Sequence, residues 1–343
     1  MKNRIAQLVE IGKIELKVEE VPALKSGDVL VSIRAVGICG SDRHYFLHGG
    51  LGSFKQKLPM PMGHEPAGIV VESKSKNFKA GDRVAIEPAT HCGSCYGCSL
   101  QRENLCGSGT FMGANSAGAL ADYVVVSDTQ LEKIPDSMSF EMAALLEPLG
   151  ILKHAMNLHR PQGTDAATIF GCGPIGLSML YLLKKAGLKQ VFMIDRLPYR
   201  CAFAKSFGAT ETFALGDPYE KAIKVRTGGI GTQLTIDAAG DDDSIDGCIR
   251  VSAPGGHMLF VGIPESDYVR FNPHKMRTKE LVIHNVRRSN RTLQDCIKLT
   301  AGDGTLEKMI SHRFPLESVQ KAFEMVGNYS DGVIKCMIVN GAQ

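Results

Sequence analysis

The pattern of apolar and polar positions changes near residue 140 of the chain. Before that point, short β-branched runs such as residues 29–35, 66–71 and 83–86 alternate with glycine and proline turn signals. Runs of this length between turns are typical of β-strands. The first part of the chain is therefore predicted to be a β-rich, barrel-like domain with few helices.

Helical periodicity first appears over residues 140–154, although Pro148 and Gly150 interrupt it. After it, apolar strands alternate with helices. The strands are predicted over 166–170, 191–194, 234–237, 257–261 and 281–285, and the helices over 177–186, 200–207 and 245–251. This alternation indicates βαβ units on a parallel sheet, and so an α/β fold.

The end of the chain has a different pattern again. After residue 291 we predict amphipathic helices over 292–301 and 316–326 and a closing strand over 333–339. These elements could return to the first domain. A chain of 343 residues also favours two domains over one.

Composition and charge exclude several classes of protein. The net charge is +3 with both signs interspersed, so nothing indicates a nucleic-acid partner. Glu10, Lys13 and Glu15 interrupt any apolar stretch behind the N-terminus, and no run approaches about 18 apolar residues, so neither a signal peptide nor a membrane span is expected. Four of the ten cysteines are clustered, which here indicates metal binding in a reducing cytoplasm rather than disulfides.

The cysteine cluster has the spacing C-x2-C-x2-C-x7-C, with glycines supplying turns between the thiols. Its members are Cys92, Cys95, Cys98 and Cys106. Four thiolates can close a tetrahedral zinc with no open position, which makes a structural site. The alternative, a set of free cysteines in a loop, is disfavoured at this density.

A dinucleotide-binding motif follows the first predicted parallel strand. Gly171 permits a tight turn, Gly173 lets a pyrophosphate approach the backbone, and Gly176 lets helix and strand pack closely. The helix N-terminus, with Pro174 and Ile175, then faces the phosphate charge. Alone, the motif is also compatible with a plain turn, but its position between strand and helix predicts dinucleotide binding.

Asp195 favours NAD as the dinucleotide. It ends the next predicted strand, 19 residues after the third glycine, close to the ~20 expected for the acid that binds the ribose. A carboxylate there repels the extra phosphate of NADP. Arg196 and Arg200 are further candidate cofactor contacts, because a guanidinium could pair with that phosphate. The preferred interpretation of both arginines is a solvated helix start.

Four other side chains could meet around a reactive metal. They are Cys39, His64, Glu65 and Glu147. Each also has an ordinary interpretation, for example a buried small hydrophobe for Cys39 or a turn histidine for His64. Spacing alone does not show that they meet. A catalytic zinc needs about three protein ligands and one open position.

Taken together, these motifs resemble the zinc-dependent medium-chain dehydrogenases in order and spacing. The matching segments are Cys-Gly-Ser-Asp at 39–42, Gly-His-Glu at 63–65, the four cysteines, Glu-Pro-Leu at 147–149, and the glycine turn with Asp195. They cover essentially the whole chain. Within the superfamily the chain looks most like sorbitol (polyol) dehydrogenases, for which the pointers are residues 39–45, 84–88, 147–149 and 154–155.

The resemblance implies a fold, cofactors and an activity. A GroES-like catalytic domain would comprise residues 1–152 and 292–343, and a Rossmann NAD-binding domain with a doubly wound parallel sheet would comprise residues 153–291. The implied cofactors are NAD and two zinc ions per chain, one catalytic and one structural. The implied reaction oxidises a secondary hydroxyl of a polyol or sugar derivative to a ketone, with hydride transfer to NAD. The family also suggests a homotetramer or homodimer.

The resemblance implies roles for the candidate metal ligands as well. Cys39, His64 and Glu65 would hold the catalytic zinc, and Glu147 would be an alternating ligand or would hold the zinc-bound water. Asp42 would orient the His64 ring.

Three further residues would surround the substrate. Ser41 would bond the substrate hydroxyl or relay its proton. Tyr45 and Phe111 would line the pocket, although ordinary packing is an equal alternative for both.

The chain departs from polyol dehydrogenases at residues 287–290, which read Arg-Arg-Ser-Asn where that family has Arg-Tyr-x-Asn. Arg287 matches a substrate-contacting arginine, and Arg288 replaces the tyrosine. With Arg291, these cations would suit an anionic substrate such as a sugar acid or sugar phosphate. Alternatively, Arg288 and Arg291 face solvent or a partner subunit.

Two other functions stay open as alternatives. L-threonine 3-dehydrogenases share much of the layout, but they usually have Thr where Ser41 stands and Asp where Glu147 stands. A non-catalytic zinc- and nucleotide-binding protein is an alternative from a different class. The intact set of reactive-metal candidates disfavours it, because a structural protein need not keep an open metal site.

Overall fold

A computed structural model of the chain describes residues 1–163 and 165–341. These residues form two compact units. The first combines the two ends of the chain, Met1–Gly150 with Ser289–Gln343, and the second is the segment between them, Ile151–Arg288. Each unit has an apolar core of its own.

The N-terminal segment of the first unit is built mainly from strands. They are β1 (Lys2–Glu10), β2 (Lys13–Glu20), β3 (Asp28–Gly37), β4 (Gly50–Leu51), β5 (Phe54–Lys55), β6 (Met60–Pro61), β7 (Glu65–Ser73), β8 (Arg83–Ile86), β9 (Tyr123–Ser127) and β10 (Leu131–Lys133). The helices are α1 (Gly40–His48), α2 (Tyr96–Ser99), α3 (Phe140–Ala144) and α4 (Leu146–Leu158), with 3-10 turns over Glu103–Leu105 and Asp128–Gln130. Helix α4 begins in the first unit and ends in the second.

The second unit alternates strands with helices. Its strands are β11 (Ala166–Phe170), β12 (Gln190–Asp195), β13 (Glu211–Ala214), β14 (Thr232–Asp237), β15 (Ser252–Phe260) and β16 (Val282–Asn285). Its helices are α5 (Pro174–Lys185), α6 (Pro198–Phe207), α7 (Tyr219–Arg226), α8 (Asp242–Val251) and α9 (Pro273–Thr278).

The sheet of the second unit is parallel throughout, in the order β13-β12-β11-β14-β15-β16. The strand order reverses between β11 and β14. In open α/β sheets, ligands bind at such a reversal, beyond the carboxyl ends of the strands. The topology therefore points to the turns after β11 and β14 as the place for a ligand.

The C-terminal segment completes the first unit. It contains α10 (Leu293–Thr300), β17 (Ile310–Phe314), α11 (Val319–Asn328) and β18 (Lys335–Val339), with 3-10 turns over Leu306–Met309 and Leu316–Ser318. Strand β18 pairs with β3 on one side and β17 on the other, giving the order β10-β8-β7-β3-β18-β17, and β9 also pairs with β3. The core of this unit packs side chains from both ends of the chain, such as Ile33 against the group that includes Phe323 and Ile338.

The predicted α/β fold class, a β-rich part followed by a parallel sheet, is confirmed. Among the described residues, no helix has both the length and the apolar character needed to cross a membrane.

Some elements differ in detail from the sequence prediction. The helical pattern over 140–154 divides into α3 and α4 at Leu145, not at Pro148. Pro148 lies in the first turn of α4, where its missing N–H would have had no partner in the helix. Helix α1 begins at Gly40, where turn signals predicted a break.

Candidate functional site

The four clustered cysteines form a compact group in the first unit. Their sulfur atoms all lie within 4.8 Å of one another, and the part of the chain that the structure describes pairs none of them in a disulfide. The sulfur atoms are separated by 3.5 Å between Cys95 and Cys98 and by 3.6 Å between Cys92 and Cys106. Zinc–sulfur bonds of about 2.3 Å place tetrahedral ligands about 3.8 Å apart. The group therefore fits a tetrahedral zinc.

The local backbone favours a thiolate in this group. Hydrogen bonds from the backbone N–H groups of Ser94 and Cys95 lower the pKa of Cys92 to about 6. Metal ligation by cysteine requires the thiolate. Burial raises the pKa of Cys98 to about 11, so the backbone favours the thiolate at Cys92 and not at every member of the group.

A second candidate metal group lies where β3 and β7 meet. The antiparallel register of these strands pairs Gly37 with Glu65, so the residues that follow β3 lie beside those that open β7. Cys39 caps α1, two residues after β3 ends, and His64 directly precedes β7. As a result, donor atoms of Cys39, His64 and Glu65 lie within 4.8 Å of one another.

Gly63 makes the turn into β7 possible. Its φ is +89°, and a Cβ there would lie 2.7 Å from Cγ of Leu120. A side chain at this position would both strain the backbone and displace Leu120. The glycine therefore lets His64 reach the group.

Asp42 holds two members of the group in place. One carboxylate oxygen accepts a 3.0 Å hydrogen bond from the backbone N–H of Cys39, and the other lies 3.5 Å from Nδ1 of His64. Burial disfavours an imidazolium, but the charges of Asp42 and Cys39 outweigh it and raise the pKa of His64. Asp42 is fully buried, so its charge acts with little screening.

Lys335 forms a buried ion pair with Glu65. The ammonium donates to Oε2 of Glu65 and, over 3.0 Å, to the carbonyl of Ile38. The two side chains are 2% and 1% exposed, so both charges depend on each other. Burial opposes the charge of Lys335, but Glu65 outweighs it and the pKa of Lys335 is raised.

Glu147 is a second buried carboxyl group close to these residues. It lies in the first turn of α4, and its Oε2 has no hydrogen-bond partner among the described residues. Burial, opposed by His64 and reinforced by Glu65 and Glu87, raises the pKa of Glu147 to about 8. A buried polar atom without a partner indicates that a cation, a water or a substrate group belongs beside it.

The donor set of this group fits a divalent metal ion. A thiol, an imidazole and a carboxylate are the ligand types of catalytic zinc, and three protein ligands leave a position open. Glu147 supplies a further carboxyl oxygen close by. The same set could also bind a cation without doing chemistry, so the ligands alone do not define a reaction.

The three residues predicted around the substrate lie in the same region. Ser41 is buried in the first turn of α1, and Tyr45 is buried one turn further along. Burial raises the pKa of Tyr45, which favours the neutral phenol. The Phe111 ring lies 5.1 Å from the His64 ring, at 50° between planes.

The glycine turn of the second unit has the geometry of a dinucleotide site. Gly171 has φ of +106°, and a Cβ on Gly176 would lie 1.8 Å from the carbonyl oxygen of Gly171. Gly173 caps α5, and Pro174 and Ile175 follow in its first turn. Only glycine permits strand and helix to approach this closely.

Asp195 supports the turn from the end of β12. One carboxylate oxygen accepts a 2.7 Å hydrogen bond from the N–H of Cys172, and the other accepts a 2.8 Å bond from the N–H of Leu197. Arg200, in α6, places a guanidinium nitrogen 3.3 Å from where a Gly173 Cβ would be. Arg196 is the residue directly after β12. A carboxylate and two guanidinium groups thus follow this strand.

The arginines of residues 287–291 separate in the structure. Arg287 and Arg288 end the second unit, and Arg288 has a φ of +52°. Arg291 belongs to the first unit, where its guanidinium pairs with Glu103 in the turn beside the cysteine group. Arg291 therefore has an acidic partner of its own in the first unit.

Sequence reasoning missed Lys335 and Glu87. A lone lysine within the apolar run of residues 333–339 was a usable signal, because a buried lysine requires an acidic partner. Glu87 accepts a 2.6 Å hydrogen bond from Ser289, but its position after β8 carries no sequence signal of that contact.

Two family models match the chain. The alcohol dehydrogenase GroES-like domain matches residues 25–136, and the zinc-binding dehydrogenase model matches residues 174–305. Both matches agree with the resemblance stated above.

Individual relatives cover nearly the whole chain. A sorbitol dehydrogenase of Bacillus subtilis (strain 168) is 32% identical over 332 residues, which are 94% of each chain. An L-idonate 5-dehydrogenase of Vitis vinifera is 32% identical over 335 residues, 94% of this chain and 91% of the relative. Among solved structures, an oxidoreductase/dehydrogenase of unknown specificity from Escherichia coli has a TM-score of 0.93 at 30% identity and covers 100% of both chains.

Proposed function

Since the chain belongs to the zinc-dependent medium-chain dehydrogenases, which act on CH–OH groups, we propose that it oxidises a secondary hydroxyl of a polyol or sugar derivative to a ketone and passes the hydride to NAD. The observation that carries the proposal is the buried group of Cys39, His64 and Glu65 beside Glu147. These residues match the family's metal-binding motifs one by one.

The chain's own residues divide the work in the first unit. Cys39, His64 and Glu65 would hold the catalytic zinc, while Asp42 fixes the His64 ring and Lys335 fixes the Glu65 carboxylate. Zinc bound there would supply Lewis-acid polarisation of the substrate hydroxyl. The four clustered cysteines would hold the structural zinc.

Glu147 and Ser41 provide a route for the hydroxyl proton. Glu147 is buried close to the proposed zinc ligands and lacks a partner at Oε2, so its carboxyl group is placed to accept the proton and pass it on. Replacing Glu147 with Gln should alter the pH–rate profile. An unchanged pH–rate profile would contradict a role of Glu147 in proton transfer.

The proposed cofactor is NAD rather than NADP. The carboxylate of Asp195 lies at the end of β12, 8% exposed, where it would repel the extra phosphate of NADP. Gly171, Gly173 and Gly176 leave room for the pyrophosphate. Initial rates give kcat/KM with NAD and with NADP. A higher kcat/KM with NADP would contradict the proposed preference for NAD.

The substrate is proposed to be a polyol, with a sugar acid as the second candidate. The second candidate is supported by the Arg-Arg sequence at 287–288, where polyol dehydrogenases have Arg-Tyr, and by a relative of similar identity, an L-idonate 5-dehydrogenase. Arg291, paired with Glu103, does not strengthen the second candidate.

A substrate screen tests the proposal directly. The zinc-loaded protein is offered polyols, sugar acids, sugar phosphates and L-threonine with NAD, and NADH formation is followed by absorbance. Turnover of polyols that is lost in Cys39→Ser supports the proposal. Turnover of sugar acids that is lost in Arg288→Tyr supports the second candidate.

Metal analysis distinguishes the non-catalytic alternative. Zinc bound by both the cysteine group and the Cys39 group, with turnover of some screened alcohol, supports an enzyme. Zinc bound by the cysteine group alone, with no turnover, supports a zinc- and nucleotide-binding protein. Cys98→Ser and Cys39→Ser identify which group has lost its ion.

We also propose that the chain works in the cytoplasm as a homotetramer or homodimer, without a nucleic-acid or membrane partner. The family resemblance supports the assembly. The cysteines, which form no disulfide among the described residues, favour a reducing compartment. Sedimentation analysis of the holoenzyme measures the assembly, and a monomer would contradict it.

A further inference from the structure

Three histidines converge in the second unit, away from every motif used so far. His159 follows the last residue of α4, His257 lies in β15, and His284 lies in β16. All three are half-buried. None of them belongs to the glycine turn or to the two metal groups of the first unit.

The sheet register brings two of these rings together. In the parallel pairing of β15 and β16, Leu259 lies opposite His284, and His257 is two residues before Leu259 on the same face. Met258 and Ile283 alternate to the other face, where they pack with the apolar core. His257 and His284 therefore share the face opposite that core.

His159 completes the cluster from the end of α4. Its ring stacks on His257 with centroids 3.7 Å apart, and its centroid lies 5.6 Å from that of His284. Nδ1 of His257 and Nε2 of His284 are 3.0 Å apart. One ring nitrogen from each of the three residues lies within 4.8 Å of the others.

These distances suit ligands of one metal ion. Metal–nitrogen bonds of about 2.0–2.1 Å place tetrahedral ligands about 3.4 Å apart. The planes of the three rings are 16–27° apart. Because a metal ion lies in the plane of each imidazole that binds it, the rings must turn out of this stack to bind a common ion. Imidazole is a preferred ligand of zinc, nickel and copper. Burial and the neighbouring rings lower the pKa of His159, and burial lowers that of His284, which favours the neutral, ligating form.

We propose that His159, His257 and His284 form an additional site for a divalent transition metal ion of the zinc, nickel and copper group, with water completing the coordination. The site goes beyond the proposed dehydrogenase function, because neither the hydride transfer nor the two zinc groups of the first unit need it.

Nickel is a suitable probe for the test. Holoenzyme that holds two zinc ions per chain, in the two metal groups of the first unit, is titrated with Ni²⁺ by calorimetry, and its zinc content is measured before and after. We expect one Ni²⁺ per chain to bind with no loss of zinc. X-ray absorption at the nickel edge should then show three imidazole nitrogens.

Variants assign the binding to these residues. His257→Gln and His159→Gln should each weaken Ni²⁺ binding at least about tenfold. His274→Gln is the matched control, since His274 is an exposed histidine of the same unit in α9 and should leave binding unchanged. Dichroism and NAD binding report whether each variant is folded.

Several outcomes would overturn the proposal. They are a wild-type protein that binds no Ni²⁺ beyond displaced zinc, equal affinity in His257→Gln and His274→Gln, and a nickel spectrum without imidazole. If His257→Gln does not fold, the Ni²⁺ affinity of His159→Gln and the nickel-edge spectrum of the wild-type protein still test the proposal.

Discussion

At the level of single residues, the Lys335–Glu65 pair is the feature that most changes the view of the metal group. A buried glutamate held by an ammonium donates less charge to a cation than a free one would. Gly37 makes the pair possible, because a Cβ there would lie 2.0 Å from Oε2 of Glu65. Lys335 therefore sets both the position and the charge of a proposed zinc ligand.

We expect Lys335→Met to destabilise the protein by about 3–5 kcal/mol, because it leaves Glu65 buried without its cation. Lys335→Arg keeps the charge and should lose markedly less. Urea unfolding of the metal-free proteins measures both. Equal losses in the two variants would show that packing, not charge, matters here.

Glu147 should make stability depend on pH. The pKa of Glu147 in the folded protein, about 8, lies above its ordinary value of 4.5. The contribution of Glu147 to the free energy of unfolding is therefore fully present below pH 4.5 and is lost as the pH rises toward 8. In metal-free protein, Glu147→Gln should therefore gain stability relative to wild type as pH rises from 5 to 8, by up to about 1.4 kcal/mol per pH unit. Urea unfolding at several pH values checks this, and a constant difference would contradict it.

Single residues also show how far the sequence alone reaches. Cys39, His64 and Glu65 were identifiable only through a family resemblance, because the β3–β7 register that joins them is not visible in a local pattern. Lys335 required the tertiary structure, since its partner lies 270 positions away. Long-range pairing of buried charges leaves almost no local signal.

At the level of elements, the strand–helix alternation was predictable and the irregular helices were not. Strand β8 and the parallel strands other than β13 follow apolar runs that the sequence displays directly. Strand β13, with the sequence Glu-Thr-Phe-Ala, was not predicted, because it has no such run. Helix α1 was hidden, because Gly37 and Gly40 favour a break while Asp42, inside its first turn, caps the backbone of Cys39. This N-terminal cap is a side-chain hydrogen bond, which the positions of the glycines do not reveal.

At the proposed cofactor site, helix α5 packs closely against the turn that follows β11. Gly176→Ala would place a methyl group 1.8 Å from the Gly171 carbonyl oxygen, so α5 must move. We expect NAD affinity to fall at least about tenfold, or about 1.4 kcal/mol. Calorimetric NAD titration measures it.

Gly216→Ala is the control for this change. Gly216 lies in the same unit with no atom within 4 Å of a Cβ, so NAD affinity should be unchanged. Equal losses of NAD affinity in Gly176→Ala and Gly216→Ala would show that the close approach at Gly176 is not needed for NAD binding.

At the level of the whole molecule, the two units differ in how they use the chain. The second unit is continuous, whereas the first needs both ends, because β18 lies between β3 and β17. Turn signals and periodicity predicted that the last elements could return to the first domain. They could not predict that β18 would lie inside the sheet, between β3 and the edge strand β17, since strand order depends on pairing between distant segments.

A chain truncated after Arg288 should therefore keep the fold of the second unit and lose that of the first. Removing β17, α11 and β18 exposes one edge of β3 and leaves Glu65 without Lys335. Limited proteolysis should digest residues 1–150 and spare 151–288, with NAD binding retained. Protection of both segments would contradict this.

The position of Lys335 also gives the proposed metal group an order of assembly. A ribosome delivers Cys39, His64 and Glu65 before Lys335, which lies 270 positions after Glu65, so the carboxylate lacks this cation while the segment between them is synthesised. During that interval Glu65 must stay near water or find another positive partner, and zinc is one.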